Sequence, residues 1–285
     1  MSAPLAAYSS YEFMLVTSPA PFVAHLEINR PKKLNAFSQQ VWLEFGRVFQ
    51  QLSEDSDVRV VILSGAGDRA FTAGLDVQAA ATDSPFSGDK QELDPARKAK
   101  LLRPHIDEFQ SCISQMEKCE KPVICVMHAV SIGLAIDISC CADIRIAAAN
   151  TRLAVKEVDI GLAADIGTLA RLPKIVGSTS WVKDVCLTAR DFSAQEALAV
   201  GFVSQVHDTK ATAIEAAQKI AVSLASKSPV AVQGTKELLN YGREHSTADS
   251  LRYTAIWNSV ALQGEDFPKA MMSGLAKTKP TFSKL

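Results

Sequence analysis

The chain lacks the sequence features that are typical of a membrane protein, a nucleic-acid-binding protein or a metalloprotein. No stretch approaches about 18 uninterrupted apolar residues, so we expect no membrane span. Its 30 basic residues are balanced by 31 acidic ones, which gives no reason to expect nucleic acid as a partner. The six cysteines form no Cys-x-x-Cys pair and do not stand at metal-ligand spacing from histidines. We therefore expect reduced structural thiols, no metal and no redox cofactor.

The composition that remains is that of an ordinary globular protein. Of the 285 residues, 47% are hydrophobic and 21% are charged, which is enough apolar sequence for a sizeable core and one or two domains. Buried-strand patterns at 58–63 and 122–130 alternate with helical patterns, whereas the sequence after residue 178 has an almost entirely helical pattern. We predict an α/β core over residues 1–200. We predict a helical region over residues 201–285, in which we expect the chain to oligomerise.

Local patterns predict four further elements. Apolar runs broken by prolines predict a hairpin over 13–28. Helical spacing of apolar residues predicts a helix from its N-cap Ser38 to about residue 52, and a long amphipathic helix over 98–118. Between these helices, residues 79–96 are polar and contain prolines and a glycine, so we expect a mobile surface loop there.

Carboxylates lie in apolar sequence at two places along the chain. Residues 156–165 contain Glu157, Asp159 and Asp165. Asp137 lies in an earlier apolar run. A carboxylate in such surroundings is destabilising unless it is paired or functional, because desolvation disfavours its charged form, and any one of them alone is more often a helix cap or half of an ion pair. Together, Asp137, Glu157 and Asp165 predict acid/base groups that face one pocket, whereas Asp159 should point away and form a structural salt bridge.

Two predicted strands run into glycine-containing turns. The strand at 58–63 is followed by residues 70–76, and the strand at 122–130 by residues 131–135. Turns of this kind leave backbone N–H groups unpaired. Two such groups that converge form an oxyanion hole, in which each donor contributes about 2.7–4 kcal/mol of transition-state stabilisation. Glycine-containing strand ends are also common without any catalytic role, so the motif is informative only alongside the carboxylates.

Four segments together resemble the crotonase, or enoyl-CoA hydratase/isomerase, superfamily. They are Phe71-Thr72-Ala73-Gly74-Leu75-Asp76, residues 132–137, Ala142-Asp143-Ile144-Arg145 and residues 156–167. The similarity runs over about residues 13–277. Segments 155–165 and 226–233 and the final Phe-Ser-Lys-Leu are most similar to the dienoyl-CoA isomerase branch. The resemblance implies a crotonase-like spiral of ββα turns with a C-terminal helical trimerisation region, in which trimers pair into hexamers.

The resemblance also implies how a substrate is held. The substrate is an acyl-CoA thioester, whose carbonyl oxygen is expected between the backbone N–H groups of Ala73 and Leu134. The family usually has three glycines where this chain has Gly133, Leu134 and Ala135. The substitution keeps the N–H groups but makes a positive φ uncomfortable at Leu134 and Ala135.

Further substrate contacts are expected around these two donors. The positions concerned are Thr72, Gly74, Leu75, Asp76, Gly133 and Ala135. Lys32 and Lys33, in a basic loop, are expected to meet the negative phosphates of CoA, although a lysine pair is more often a solvated surface. No cofactor is expected, because the CoA thioester enters as the substrate.

The acid at position 165 distinguishes branches of the superfamily. Hydratases resemble this chain at Asp137 and Glu157 but typically carry a small residue in place of Asp165, whereas dienoyl-CoA isomerases carry an acid there. The implied reaction converts a 3,5-dienoyl-CoA into a 2,4-dienoyl-CoA by removing a proton at C2 and adding one at C6, roughly 5 Å away. The resemblance then makes Glu157 the base at C2 and Asp165 the acid at C6, while Asp137 has a supporting role.

Two alternatives remain open at the level of the sequence. One is a 2-enoyl-CoA hydratase or a Δ3,Δ2-enoyl-CoA isomerase, which would use the same Glu157 and the same oxyanion hole. The other is a non-catalytic relative that serves as an RNA-binding or scaffold protein. The near-zero net charge and the complete set of carboxylates argue against this second alternative.

The sequence ends in the tripeptide Ser283, Lys284 and Leu285. A terminal Ser-Lys-Leu is a peroxisomal address that an import receptor reads. We therefore expect a peroxisomal location, an import receptor as a partner, and an exposed, mobile C-terminus.

Overall fold

The computed structural model describes residues 5–83 and 93–285 of the chain. The strands are β1 (Met14–Ala20), β2 (Val23–Ile28), β3 (Val60–Gly65), β4 (Ala70–Thr72), β5 (Val123–Met127), β6 (Val130–Ile132), β7 (Ile144–Ala148), β8 (Arg152–Ala154), β9 (Phe192–Ser193) and β10 (Gln205–His207). The α-helices are α1 (Gln39–Glu54), α2 (Val77–Asp83), α3 (Pro95–Lys118), α4 (Leu134–Cys140), α5 (Thr168–Ile175), α6 (Thr179–Thr188), α7 (Ala194–Ala199), α8 (Lys210–Ala225), α9 (Pro229–Gly242), α10 (Thr247–Ala261) and α11 (Asp266–Leu275).

The strands form two sheets, which the chain builds in alternation. The larger sheet has the order β1-β2-β3-β5-β7-β10, and the smaller sheet has the order β4-β6-β8-β9. Each of β3, β5 and β7 adds a parallel strand to the larger sheet. The strand that follows each of them in sequence joins the smaller sheet, where β4, β6 and β8 are parallel neighbours. The chain therefore advances as a spiral, in which each turn adds one strand to each sheet.

Helices α1 and α3 cover one side of the larger sheet. Strands β3 and β5 are buried along their whole lengths, as expected for parallel strands that are covered on both faces. On α1, Val41, Phe45 and Phe49 recur at helical spacing and are fully buried in the same core. Trp42 of α1 stacks on Phe109 of α3 with 4.7 Å between the ring centroids, so α3 is fixed across α1.

Helix α8 covers the opposite face of the larger sheet. Its alanines at positions 213, 217, 221 and 225 recur at every fourth residue, and all four are buried against the sheet. Small side chains at this spacing let a helix lie close to a sheet. Both β10 and α8 lie beyond residue 200, so the α/β core continues past that position. A separate oligomerisation region stays a prediction, and it concerns the helices α9 to α11.

Most of the predicted elements are confirmed. The hairpin forms as the antiparallel pair β1 and β2. Helix α1 begins directly after Ser38, although the side chain of Ser38 makes no capping hydrogen bond. Helix α3 begins three residues earlier than expected, at Pro95, because Asp94 accepts hydrogen bonds from the backbone N–H groups of Ala96 and Arg97.

Two expectations about elements are wrong in part. The loop expected at 79–96 is helical at both ends, since α2 continues to Asp83 and α3 begins at Pro95; residues 84–92 lie outside the described part of the chain. The helical pattern after residue 178 is interrupted by β9 and β10. These two strands contain only two and three residues, which is too short to leave a period in the sequence.

The C-terminal tail is held against the core. The Arg59 guanidinium donates hydrogen bonds to the carbonyl oxygens of Phe282 (2.7 Å) and Ser283 (3.1 Å), and Lys284 forms a salt bridge with Asp57. The side chains of the final tripeptide nevertheless face solvent. The expected exposure of the tripeptide is therefore confirmed, whereas these contacts oppose its expected mobility.

The described residues show no feature of a membrane span or a metal centre. Within residues 5–83 and 93–285, no helix combines the length and the apolar character that a bilayer crossing requires, and no three His, Cys, Asp or Glu side chains are grouped as metal ligands. All six cysteines are free thiols. Burial raises the pKa of Cys141 to about 12 and that of Cys186 to about 11, so these thiols are protonated at neutral pH.

Candidate active site

The carboxyl ends of three strands in the smaller sheet meet at one site. Because β4, β6 and β8 are parallel neighbours, the segments that follow them leave the sheet at the same edge. Gly74 follows β4, Gly133 follows β6 and Glu157 follows β8. The spiral thus brings together three segments that are far apart in the sequence.

Two glycines allow the first two of these segments to touch. Gly74 has a φ of +90° and Gly133 has a φ of +58°, a region that side chains with a Cβ rarely adopt. A Cβ at Gly74 would lie 2.9 Å from the carbonyl oxygen of Ile132 and 3.4 Å from the backbone nitrogen of Leu134. The backbone after β4 therefore lies directly against the backbone at the start of α4.

The N–H group of Leu134 is available at this contact. Leu134 is the first residue of α4, and the first N–H groups of a helix have no intrahelical acceptor. Neither Leu134 nor Ala135 has a positive φ, because Gly133 alone adopts the positive φ that precedes the helix. Replacing the family's second and third glycines in this run with Leu134 and Ala135 therefore leaves this donor in place.

The structure corrects the other expected donor. The N–H group of Ala73 donates a hydrogen bond to the carbonyl oxygen of Leu34 (2.9 Å) and is not free. The N–H group of Leu75 has no acceptor among the described residues. Phe37 forms backbone hydrogen bonds on both sides of this group: its N–H donates to the Gly74 carbonyl oxygen, and its carbonyl oxygen accepts from the Asp76 N–H. The N–H of Leu75 therefore points away from Phe37. Leu75 lines the cavity described below, so Leu75 and Leu134 are the candidate pair of donors.

Asp137 is held by the start of α5. It lies in the first turn of α4 and is 2% exposed. Its Oδ1 accepts hydrogen bonds from the backbone N–H of Thr168 (2.6 Å) and from the Thr168 hydroxyl (2.8 Å). Burial raises the pKa of Asp137 to about 6, while the two hydrogen bonds from Thr168 act in the opposite direction.

Glu157 carries a buried carboxylate oxygen that is not hydrogen-bonded. It opens the 3₁₀ turn Glu157–Ile160, and its Oε2 has no hydrogen-bond partner among the described residues. Burial and the nearby charges of Asp137 and Asp165 raise the pKa of Glu157 to about 7. A buried polar atom of this kind is destabilising unless a ligand or the chemistry uses it.

Asp165 lies on the segment that connects the 3₁₀ turn to α5. It is half-buried, and burial raises the pKa of its carboxyl group, while the nearby His105 acts in the opposite direction. Its backbone carbonyl accepts a hydrogen bond from the side chain of Gln110. The expectation for Asp159 is confirmed, since it forms a salt bridge with Lys156 at 3.3 Å.

The three expected carboxylates line one cavity of about 230 Å³. Apolar side chains from several elements form most of its wall, and the sequence alone did not identify them. They are Val77, Phe109, Ile132, Ile160, Leu162 and Ile166. Ile160 and Leu162 lie in the same apolar stretch as Glu157, and this proximity is the sequence signal that points to them. The sequence does not show which way their side chains face. A cavity that has carboxyl groups at one place and an apolar wall elsewhere suits a substrate with an acyl chain.

The expected substrate-contacting positions divide into two groups. Gly74, Leu75 and Gly133 line the cavity, whereas Thr72, Asp76 and Ala135 lie behind it. The Thr72 hydroxyl accepts a hydrogen bond from the Gly74 N–H (3.1 Å) and so supports the turn. Asp76 forms a salt bridge with Arg30 at 2.7 Å, and this contact lowers the pKa of Asp76. These residues therefore shape the site without contacting its interior.

The two lysines that were expected to meet CoA lie apart from the cavity wall. Lys32 and Lys33 belong to the 3₁₀ turn Pro31–Lys33 and are exposed. Lys33 donates to the side chain of Gln78 at 3.3 Å. Their contact with the phosphates of CoA stays a prediction.

The fold and the site agree with a comparison against protein families. A family model described as enoyl-CoA hydratase/isomerase matches residues 21–284. The chain therefore belongs to this family, the crotonase family, and the crotonase-like spiral expected from the sequence is confirmed. The solved structure of an enoyl-CoA hydratase from Bacillus anthracis has a TM-score of 0.85 at 26% identity and covers 95% of this chain and 99% of that chain.

Two relatives have names that specify an activity and an organelle. The mitochondrial Δ(3,5)-Δ(2,4)-dienoyl-CoA isomerase of Homo sapiens is 44% identical over 281 residues, which span 97% of this chain and 84% of that protein. The peroxisomal Δ(3,5)-Δ(2,4)-dienoyl-CoA isomerase of Arabidopsis thaliana is 40% identical over 263 residues, which span 92% of this chain and 93% of that protein. The names thus agree on the activity and differ in the organelle.

Proposed function

We propose that this protein converts 3,5-dienoyl-CoA thioesters into 2,4-dienoyl-CoA thioesters in fatty-acid β-oxidation. The observation that carries this proposal is the presence of two separate carboxyl groups, Glu157 and Asp165, on one largely apolar cavity. Relatives at 44% and 40% identity are named for the same activity. A base at one carbon and an acid at the other suit a transfer of protons between two distant carbons, and we assign these roles to Glu157 and Asp165.

The reaction begins at the thioester end of the substrate. The Glu157 carboxylate removes a proton from C2, and the electron pair of the broken C–H bond moves toward the thioester carbonyl. The negative charge that develops on the carbonyl oxygen accepts hydrogen bonds from the N–H groups of Leu75 and Leu134. The buried Oε2 of Glu157, which has no hydrogen-bond partner among the described residues, is suited to receive the proton.

The reaction ends at the far end of the conjugated system. The electron pair is delocalised from C2 through C4 to C6, and C6 takes a proton from the protonated carboxyl of Asp165. The double bonds then lie at C2–C3 and C4–C5. Glu157 now holds the proton from C2 and Asp165 is ionised, so proton exchange with solvent restores the starting state. Two carboxyl groups remove the need for one group to move roughly 5 Å between C2 and C6.

Asp137 supports these two groups from behind. Its Oδ1 is occupied by Thr168, and its charge raises the pKa of Glu157. We assign Asp137 the role of orienting and polarising the pair. No cofactor takes part in the proposed reaction, since the CoA thioester is the substrate. Lys32 and Lys33 are proposed to bind its phosphates; replacing both by alanine should raise KM without changing kcat.

The ultraviolet absorbance of a 3,5-dienoyl-CoA tests the proposed function. The wild-type protein should produce the conjugated 2,4-dienoyl-thioester band, and Asp165→Asn should lower the rate by at least about 10²-fold because a proton donor is lost. Asp159→Asn is the matched control, since its carboxylate lies in an ion pair with Lys156, and it should keep the wild-type rate. An unchanged rate in Asp165→Asn would remove Asp165 from the mechanism while keeping the isomerase.

Two other outcomes of the same experiment would change the assignment. If the band did not form but 2-enoyl-CoA were hydrated, the protein would be a hydratase, a function that Asp137 and Glu157 also permit. If both substrates were left unchanged while RNA bound with a strong salt dependence, a non-catalytic function would replace the enzymatic one.

We propose the peroxisome as the location and an import receptor as a partner. The support is the tripeptide at residues 283–285, whose side chains are exposed. The test is a fluorescent protein fused to the N-terminus of the full chain. It should be found in peroxisomes, and deletion of the tripeptide should leave it in the cytosol. Mitochondrial import of the untagged chain would overturn this location.

A further inference from the structure

A polar stripe on α3 faces the segment that carries Asp165. Gln110, Ser114 and Glu117 are separated by four and three residues, a spacing that places side chains on one face of a helix. The opposing segment comprises residues 164–171, between the 3₁₀ turn and the first turns of α5. The proposed catalytic function does not use these three side chains.

All three side chains of the stripe hydrogen-bond to that segment. The amide nitrogen of Gln110 donates to the backbone carbonyl of Asp165. Arg171 donates from its Nε to Glu117 (2.8 Å) and from its Nη2 to the hydroxyl of Ser114 (2.9 Å). Ser114 and Glu117 therefore hold the start of α5, and Gln110 alone reaches the residue that carries the proposed acid.

The helix that carries the stripe is itself firmly placed. Phe109, next to Gln110, stacks on Trp42 of α1 with an angle of 18° between the rings, and Trp42 also contacts the ring of His105. Phe109 lines the cavity on the same helix. Gln110 therefore links this firmly placed helix directly to the backbone of Asp165.

Asp165 depends on such support more than the other two carboxylates do. Asp137 is held by Thr168, and Glu157 opens a 3₁₀ turn. The carboxylate of Asp165 accepts no hydrogen bond from another residue in the described part of the chain, and its backbone belongs to no helix or strand. Its carbonyl oxygen is therefore the point at which its backbone is held.

We propose, on the basis of the isomerase function above, that Gln110 is the positioning residue for the C6 step. It holds the Asp165 backbone so that the carboxyl faces C6, and it has no part in proton removal at C2. An acid displaced by about 1 Å slows its own proton transfer strongly, because the reacting atoms must be close and aligned. Loss of Gln110 should therefore slow protonation at C6 and leave the C2 step intact.

The test is Gln110→Met, which keeps the length of the side chain and removes the N–H donor. The full-length variant is incubated with a 3,5-dienoyl-CoA in D₂O. The formation of 2,4-dienoyl-CoA is followed by absorbance, and deuterium at C2 of the unreacted substrate by mass spectrometry. We expect isomerisation to fall about tenfold and C2 exchange per turnover to rise by a similar factor, because the dienolate returns to the substrate more often.

Gln115→Met is the matched control. Gln115 lies on the same helix outside the stripe, and its side chain makes no hydrogen bond among the described residues. It should keep the wild-type isomerisation rate and the wild-type exchange ratio. Gln110→Ala is a second variant in case Gln110→Met does not fold, and it should show the same change in the ratio.

Two results would overturn the proposal. One is an unchanged isomerisation rate in both Gln110 variants. The other is a loss of isomerisation without a rise in C2 exchange per turnover, which would mean that Gln110 supports the site as a whole. Failure of the proposed function is distinct from both, because the wild-type protein itself would then form no 2,4-dienoyl-CoA.

Discussion

Three carboxyl groups around one apolar cavity repel one another when all of them are ionised. Burial is the first cause of the raised pKa values of Asp137, Glu157 and Asp165, and the charges of the neighbouring carboxylates add to it for Glu157. A raised pKa keeps a carboxyl group protonated up to a higher pH than is usual for Asp or Glu. The proposed reaction starts with one carboxyl group ionised, as the base at C2, and another protonated, as the acid at C6.

The pH dependence of activity should follow from this group. Glu157 must be ionised to act as the base, and its pKa is raised to about 7, so kcat/KM should increase as the pH rises through about 7. Asp165 must be protonated to act as the acid, so kcat/KM should fall again as Asp165 loses its proton, which gives a bell-shaped profile. Asp137→Asn removes a negative charge that raises the pKa of Glu157, so the increase should occur at lower pH in this variant. Isomerisation rates from about pH 5.5 to about pH 8.5 provide the measurement. A profile that is identical in Asp137→Asn and the wild-type protein would contradict the proposed coupling.

A single methyl group at Gly74 should disrupt the oxyanion hole. In Gly74→Ala the Cβ would lie 2.9 Å from the Ile132 carbonyl oxygen, which is too close, so the segment that carries the Leu75 N–H must shift relative to the segment that carries the Leu134 N–H. We expect kcat to fall by about 10²-fold, the loss typical of one missing donor. Gly201→Ala is the matched control, because Gly201 has a similar φ of +78° and no described atom lies within 4 Å of its Cβ position. Equal losses of activity in the two variants would show that backbone strain, and not the contact, is responsible.

At the scale of elements, the site is an arrangement of helix and strand ends. The smaller sheet supplies the segments after β4, β6 and β8, and the start of α5 supplies the hydrogen bonds that hold Asp137. Backbone N–H groups at a helix N-terminus stabilise a carboxylate, which explains how a nearly fully buried Asp137 can carry charge. The larger sheet and α8 contribute no side chain to the cavity wall among the described residues.

The contact between α4 and α5 should be measurable as stability. Thr168→Val removes the hydroxyl that donates to Asp137 and should lower the free energy of unfolding by about 1–3 kcal/mol at neutral pH. This hydrogen bond favours the ionised form of Asp137, whose pKa is about 6, so the difference should shrink as the pH falls through that value. Urea unfolding at two pH values provides the measurement. Thr179→Val is the control at the exposed first residue of α6, and a loss equal to that of Thr168→Val would contradict the prediction.

At the scale of the whole molecule, the C-terminal helices leave a large apolar surface uncovered. No residue of α10 or α11 is buried. Their exposed large apolar side chains are Leu251, Ile256, Val260, Phe267, Met271, Met272 and Leu275. Apolar surface of this extent marks an interaction site, and we propose that it is the contact between copies of this chain in a trimer or hexamer.

Charged substitutions on α11 should weaken this assembly. Met272 and Leu275 are 66% and 77% exposed, so Met272→Asp and Leu275→Asp should leave the fold of the single chain intact. We expect the mass measured by light scattering to fall from that of a trimer or hexamer toward that of one chain. Val222→Asp on α8, where the side chain is 49% exposed, is the control and should keep the wild-type mass. If the wild-type protein were monomeric, the proposed contact between copies of the chain would be wrong.

Much of the fold could be predicted because burial leaves a period in the sequence. The buried faces of α1 and α3 and the continuous apolar runs of β3 and β5 produced patterns that agree with the structure. The short strands β9 and β10 left no such pattern. The ends of the loop expected at 79–96 depend on the cap that Asp94 forms at the start of α3 and on how far α2 extends. Elements of two or three residues are stabilised by the sheet that they join, and that partner is not visible in local sequence.

The sequence by itself determined the chemical groups of the site. Asp137, Glu157 and Asp165 stand out because a carboxylate in apolar sequence is already unusual before any folding, and all three line one cavity. Only the tertiary structure decided which backbone groups join them. The N–H of Ala73 is taken by Leu34, whereas that of Leu75 is turned away from Phe37, because the direction of the backbone after Gly74 depends on its φ and on the segment packed beside it. Every residue except proline carries the same N–H group, so its direction and its partner are properties of the fold and not of the amino-acid type.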